Sequence, residues 1–96
     1  MNLDYIRYFV KLAEVQHYTK AAEILCISQP SLSHAMRQME KELGVQLFEK
    51  KGRNTVLTRF GEEFLDTAKR TLATLDEGVA SLKKSARGEG LIRLGF

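Results

Sequence analysis

Tryptophan is absent, and cysteine and proline each occur once among the 96 residues. The single thiol, Cys26, has no partner for an internal disulfide, so a reducing compartment is the natural setting. With one proline and no low-complexity tract, neither a disordered arm nor a collagen-like repeat is supported. No apolar run approaches the roughly 20 residues needed to span a bilayer. The first residues also lack a charged-then-apolar signal region, so the expected location is cytoplasmic, with no membrane partner. Missing too are a glycine-rich phosphate loop and any Cys/His cluster at metal-ligand spacing. The two histidines, His17 and His34, stand apart with no activated nucleophile nearby. Catalysis, a bound metal and an organic cofactor are therefore not expected.

What is present is an ordinary globular composition, 44% hydrophobic and 28% charged, long enough for one small core. A formal charge of +3 permits an anionic partner without demanding one. Placement of charge says more. After Glu23 the next carboxylate is Glu40, leaving sixteen positions without an acid, as a surface facing phosphate would require.

Leu3, Ile6, Phe9, Val10 and Ala13 recur at helical spacing and predict a first helix over 3–15, with Asp4 in the first turn where the helix dipole favours an acid. Thr19 then reads as the cap of a short second helix over 20–25, facing inward through Ala21, Ala22 and Leu25. Cys26 at its end is expected to be a small buried apolar residue, with no resolving cysteine to make it a redox sensor. Ser28 can cap a third helix over 30–43, opened by Pro30 in its first turn and closed by Gly44. Leu32, Met36, Met39 and Leu43 form its apolar stripe. Segments 46–50 and 55–58 flank the turn-rich Lys51-Gly52-Arg53-Asn54 and predict a two-stranded hairpin.

Two short helices joined by a tight turn, with a first helix before and a hairpin after, predict a mainly α winged helix-turn-helix over 1–58. In that plan the third helix enters the major groove of duplex DNA. Its opening Ser28-Gln29-Pro30-Ser31 and the following Ser33, His34 and Arg37 carry the right groups: glutamine pairs bidentately with adenine, serines reach base edges or phosphates, and arginine reaches guanine or backbone. The hairpin adds Lys50, Lys51 and Arg53, and arginine on a thin hairpin can enter a narrow minor groove.

The longest helical stretch follows, over 59–87, with Thr58 as its cap and Gly88-Glu89-Gly90 as its expected stop. Leu65, Ala68, Leu72, Leu75, Val79, Leu82 and Ala86 repeat at 3-4-3-4-3-4, an a/d seam over three heptads. So small a domain cannot cover all of it, so 59–88 reads as a linker helix that makes a homodimer. The tail 91–96 alternates apolar with small or polar residues like an opening strand, and 89–96 is expected to begin a further, effector-binding domain.

Together, Phe9 with Ala13-Glu14, Ala21-Ala22 with Leu25, Ser28-Gln29-Pro30-Ser31-Leu32-Ser33, Glu40 with Leu43-Gly44, Leu47-Phe48, Arg53, Leu57-Thr58 and Gly61 resemble the N-terminal part of LysR-type transcriptional regulators, in register from residue 3 to about 62. That resemblance implies base reading by Gln29 and Ser33, a helix start set against the backbone by Pro30 and Ser31, and a minor-groove role for Arg53. It implies an interrupted inverted repeat of duplex DNA as the partner. It further implies a tetramer in full-length relatives and a small-molecule effector sensed only by the further domain. Five residues depart from the family: His34 and Lys50 stand where arginine is common, and Gln16-His17-Tyr18 replaces the Gly-Ser-Phe of many relatives. The competing reading is a dimerisation module that does not read DNA sequence. A membrane-surface helix is disfavoured by the mixed charge of 59–87.

Overall fold

The computed structural model describes residues 1–94, and side chains through residue 88. Helix α1, Leu3–Val15, starts where the Asn2 side chain accepts the Tyr5 N–H at 2.9 Å, and buries Phe9 and Leu12. It ends at Gln16, in the left-handed region at φ 63°, whose N–H returns to the Leu12 carbonyl. The Gln16 carbonyl then accepts the Thr55 N–H at 3.0 Å, fastening the end of α1 to the hairpin.

Helix α2 is Tyr18–Leu25, two residues longer at its start than expected. His17, not Thr19, is the cap, its Nδ1 facing the Lys20 N–H at 3.4 Å. Tertiary packing decides this: Tyr18, Ala21, Ala22 and Leu25 stand at i, i+3, i+4 and i+7, so starting at residue 18 puts the aromatic ring on the same inward stripe. All four lie within or against the core. At the far end Cys26 takes φ 61°, its N–H donates to the Glu23 carbonyl, and the Ile27 N–H reaches the Ala22 carbonyl. This paired closure turns the chain sharply. It also leaves Cys26 exposed, correcting the expectation that it is buried.

Helix α3, Gln29–Leu43, follows after the three residues 26–28, with the Ser28 hydroxyl accepting the Ser31 N–H at 3.2 Å and Gly44 closing it at φ 75°. Leu32, Ala35, Met36 and Met39 are buried. Strands β1, Phe48–Lys51, and β2, Asn54–Leu57, pair antiparallel from Phe48 with Leu57 to Lys51 with Asn54. The turn is therefore only Gly52-Arg53, with Gly52 at φ 64° as a tight two-residue loop requires. Residues 46–47 lie outside the ladder because the amide and carbonyl of Leu47 are bonded elsewhere.

Thr58 caps α4 as expected, its hydroxyl accepting the Gly61 N–H at 3.1 Å. Helix α4 spans Arg59–Leu94 and does not stop at Gly88-Glu89-Gly90. Residues 91–94 are helical, correcting the expected strand; 95–96 lie outside the described residues. Glycine inside a helix costs about 1 kcal/mol but imposes no end unless the chain needs a left-handed turn there. The core gathers around Phe9, whose ring meets Phe48 edge-on and Phe64 tilted, both at 5.4 Å. Leu3, a candidate core residue from its spacing, remains exposed one turn before the packed face. With α4 projecting, the molecule measures 58 × 25 × 20 Å.

Candidate nucleic-acid interface

The sharp turn at Cys26 and the small Ala21 and Ala22 let α2 pack closely on α3 and leave the opposite face of α3 outward. Ser28, Gln29, Pro30, Ser31, His34 and Arg37 are exposed there, with Ser33 half-buried at the edge of the core. The polar groups are already partly ordered. Ser28 donates its hydroxyl to Ser31 Oγ at 2.8 Å, and Gln29 donates from Nε2 to Ser33 Oγ at 3.3 Å. The Gln29 amide thus keeps one N–H and its carbonyl free, the two groups a bidentate contact uses.

Lys50, Lys51 and Arg53 are exposed on the hairpin, and none of the ion pairs among the described residues involves them or Arg37. Their charge is not neutralised by neighbours, although Glu49 stands among them on β1. Phe48, by contrast, faces inward and roots the hairpin against Phe9.

Between α3 and the hairpin lies a cleft of ≈ 200 Å³ lined by Tyr18, Glu40, Phe48, Glu49, Lys50 and Thr55. Burial raises the Tyr18 phenol pKa, the Glu40 charge raises it further, and Arg37 partly offsets them. Glu40 itself reaches across this junction, its Oε2 accepting the Leu47 N–H at 2.7 Å and the Phe48 N–H at 3.3 Å. Sequence reasoning missed this link. Its partners are backbone amides, which leave no trace in residue identity.

The α4 seam divides. Leu65 and Ala68 already pack into the core of their own chain, with Ala68 1% exposed. Leu72 and Leu75 are half-covered, whereas Val79 and Leu82 are 41% and 70% exposed. The unpartnered part of the stripe therefore begins near Leu72. Among the described residues no three or more His, Cys, Asp or Glu gather to hold a metal ion, and no helix is long and apolar enough to cross a membrane.

Three helices, a tight turn between the second and third, and a two-stranded hairpin define the class: a winged helix-turn-helix domain carrying a long helix. The family model described as "Bacterial regulatory helix-turn-helix protein, lysR family" matches residues 3–62, and the chain belongs to that family. It is 43% identical over 96 residues to the HTH-type transcriptional regulator BenM of Acinetobacter baylyi, covering 100% of this chain and 32% of that protein. With AlsR of Bacillus subtilis the identity is 39% over 97 residues, at the same coverage of 100% and 32%. The chain thus spans about a third of the length of these curated relatives. Among solved structures, the BenM DNA-binding domain in complex with catB site 1 DNA superposes with a TM-score of 0.86 at 42% identity, covering 90% of this chain and 96% of that one. The CbnR DNA-binding domain on DNA gives 0.83 at 32% identity, covering 90% and 99%.

Proposed function

We propose that this chain is the double-stranded DNA-reading part of a bacterial transcription regulator, binding as a homodimer to an interrupted inverted repeat. One observation carries the reading: an outward α3 front free of carboxylates, flanked by a hairpin whose cations have no ion-pair partners among the described residues. Phosphate contact favours such a surface and ordinary solvated helices do not need it. The similar DNA-binding domains of BenM and CbnR, solved as complexes with DNA, support the same reading.

In this reading α3 lies in the major groove, where Gln29 pairs with adenine through its free amide groups and Ser33 holds that amide while reading an adjacent edge. Ser28, Pro30 and Ser31 set the helix start against the backbone. Arg37 reaches a guanine or a phosphate, and the His34 side chain has a shorter reach and fewer donors than arginine. Lys50 and Lys51 bind phosphate as point charges, and Arg53 enters the minor groove. Leu72, Leu75, Val79 and Leu82 join two chains, with Leu65 and Ala68 bracing the helix on its own domain. Residues 1–58 read DNA and the following helix dimerises; the cytoplasm is the site of action. Tetramer formation and sensing of a small-molecule effector belong to a further part of the protein, supported by the greater length of the relatives.

Selection from a random duplex pool, followed by titration, tests the reading. An interrupted inverted repeat is the expected product. Gln29→Ala should weaken binding to that product by roughly 1–3 kcal/mol while leaving binding to random duplex nearly unchanged. Equal loss on both would exclude base reading by Gln29; no binding at all would leave the dimerisation module as the function.

A further inference from the structure

Glu40 is the first carboxylate after Glu23 and stands on α3 itself, where negative charge would oppose DNA. Gln29, Ser33 and Glu40 are spaced by four and then seven residues, so the three lie along one flank of the helix. Yet the Glu40 side chain serves the protein: Oε2 accepts the N–H groups of Leu47 and Phe48 at 2.7 and 3.3 Å. Leu47 is fully buried, and its carbonyl accepts the Thr58 N–H at 2.9 Å. Both backbone polar groups of Leu47 are thereby fixed, one by α3 and one by the start of α4.

Packing of Phe48 on Phe9 has no direction, and the bond from the Thr55 N–H to the Gln16 carbonyl ties the hairpin to the end of α1 and not to α3. Hydrogen bonds to an ionised acceptor are directional and about twice as strong as neutral ones. We propose that Glu40 is the positioning residue that holds the wing at a fixed distance and angle from α3, so that Gln29 and Ser33 in one groove and Arg53 in the next engage the same stretch of duplex together. The inference rests on the DNA-reading function proposed above. Two contacts held on one rigid body reinforce each other because the first concentrates the second near its target. Release of the hairpin root removes that reinforcement.

The test uses the duplex selected by the parent chain and a double-mutant cycle of Glu40→Leu with Arg53→Ala, alongside Glu40→Gln. In the parent, Arg53→Ala should weaken binding about tenfold, and in the Glu40→Leu background less than about threefold. Glutamine retains a carbonyl that can accept both amides, so Glu40→Gln should keep the full Arg53 effect. Residual dipolar couplings of the free proteins give the position directly: the parent and the glutamine variant should fit one rigid body, and the leucine variant two, with α3 and the hairpin each internally unchanged. A single body with parental orientation in Glu40→Leu, an equal Arg53 effect in both backgrounds, or a glutamine variant that behaves like leucine would each overturn the proposal. Should Glu40→Leu fail to fold, Glu40→Asp, which draws the carboxylate back by one methylene, takes its place under the same expected and overturning results. If Arg53→Ala leaves the parental affinity unchanged, the minor-groove reading falls, while the dipolar couplings still decide the role of Glu40.

Discussion

Gly61→Ala adds one methyl group where α4 meets the root of the hairpin. An ideal Cβ at Gly61 would lie 2.1 Å from the Leu47 carbonyl oxygen and 2.8 Å from a δ-methyl of Leu57, closer than real Cβ contacts allow. The first turn of α4 must withdraw by about 1 Å to restore ordinary non-bonded separation. That movement stretches the 2.9 Å bond from the Thr58 N–H to the Leu47 carbonyl and the bond from the Thr58 hydroxyl to the Gln46 carbonyl. Overpacking costs about 1–3 kcal/mol, and the two hydrogen bonds about 0.5–1.5 kcal/mol each. Alanine returns about 1 kcal/mol of helix propensity. The expected net loss is about 3 kcal/mol, a fall of roughly 12–24 °C in Tm for a domain of this size. Gly78→Ala is the internal control, because nothing lies within 4 Å of its added Cβ. It should show the propensity gain alone, about 1 kcal/mol. Thermal melts by far-UV circular dichroism, at one protein concentration so that assembly does not shift Tm, compare the three proteins. A Gly61→Ala protein that melts at or above the parent would refute the close approach and the reasoning built on it.

Arg53→Ala should reduce the slope of log affinity against log salt by about 0.9, one counterion's worth, and an unchanged slope would mean the hairpin stays clear of the duplex. Leu82 is 70% exposed within one chain, so Leu82→Asp removes little from its own fold while placing an unpaired charge in the shared seam. Sedimentation should show monomers at micromolar concentration with a parental helical signal; a persistent dimer would exclude the seam as the interface. Tyr18 has a raised pKa, so the folded state holds the phenol proton more tightly than the unfolded chain, where it leaves at the ordinary 10.0. The stability from that proton is complete below pH 10.0 and is lost as pH climbs through the folded value. Tyr18→Phe should flatten this part of the alkaline decline, and denaturation midpoints that fall equally in both proteins above pH 10.0 would count against it.

The sequence was most legible where a decision is local. Ser28, Pro30 and Gly44 mark α3 because capping and left-handed closure act within a few residues, and its ends fall within one residue of expectation. The start of α2 was misread because Thr19 is the better cap in isolation, while docking of Tyr18 against the core favours His17. Cys26 looked apolar and buried, yet its side chain faces solvent because the chain reverses at that residue. Gly88 and Gly90 suggested a stop that the backbone does not make. At the candidate site, the acid-free stretch and the basic hairpin were readable since charge is carried by residue identity. The grip of Glu40 on two amides was not, because any residue except proline supplies the same donor.

Helix α4 also has mechanical properties. Its 36 residues make a rod about 54 Å long at 1.5 Å per residue, rooted where Gly61 bears on the Leu47 carbonyl. A tilt of about 5° at that fulcrum sweeps the far end through roughly 5 Å, given the rise per residue of a straight helix. Run in reverse, the same lever attenuates: a sideways push of about 1 Å at the tip turns the base by only about 1°. Torsion behaves differently, since a stiff rod delivers twist about its own axis from end to end without that loss. Motion imposed at the far end of α4 therefore reaches the hairpin root better as rotation of the helix about its axis than as displacement of its end.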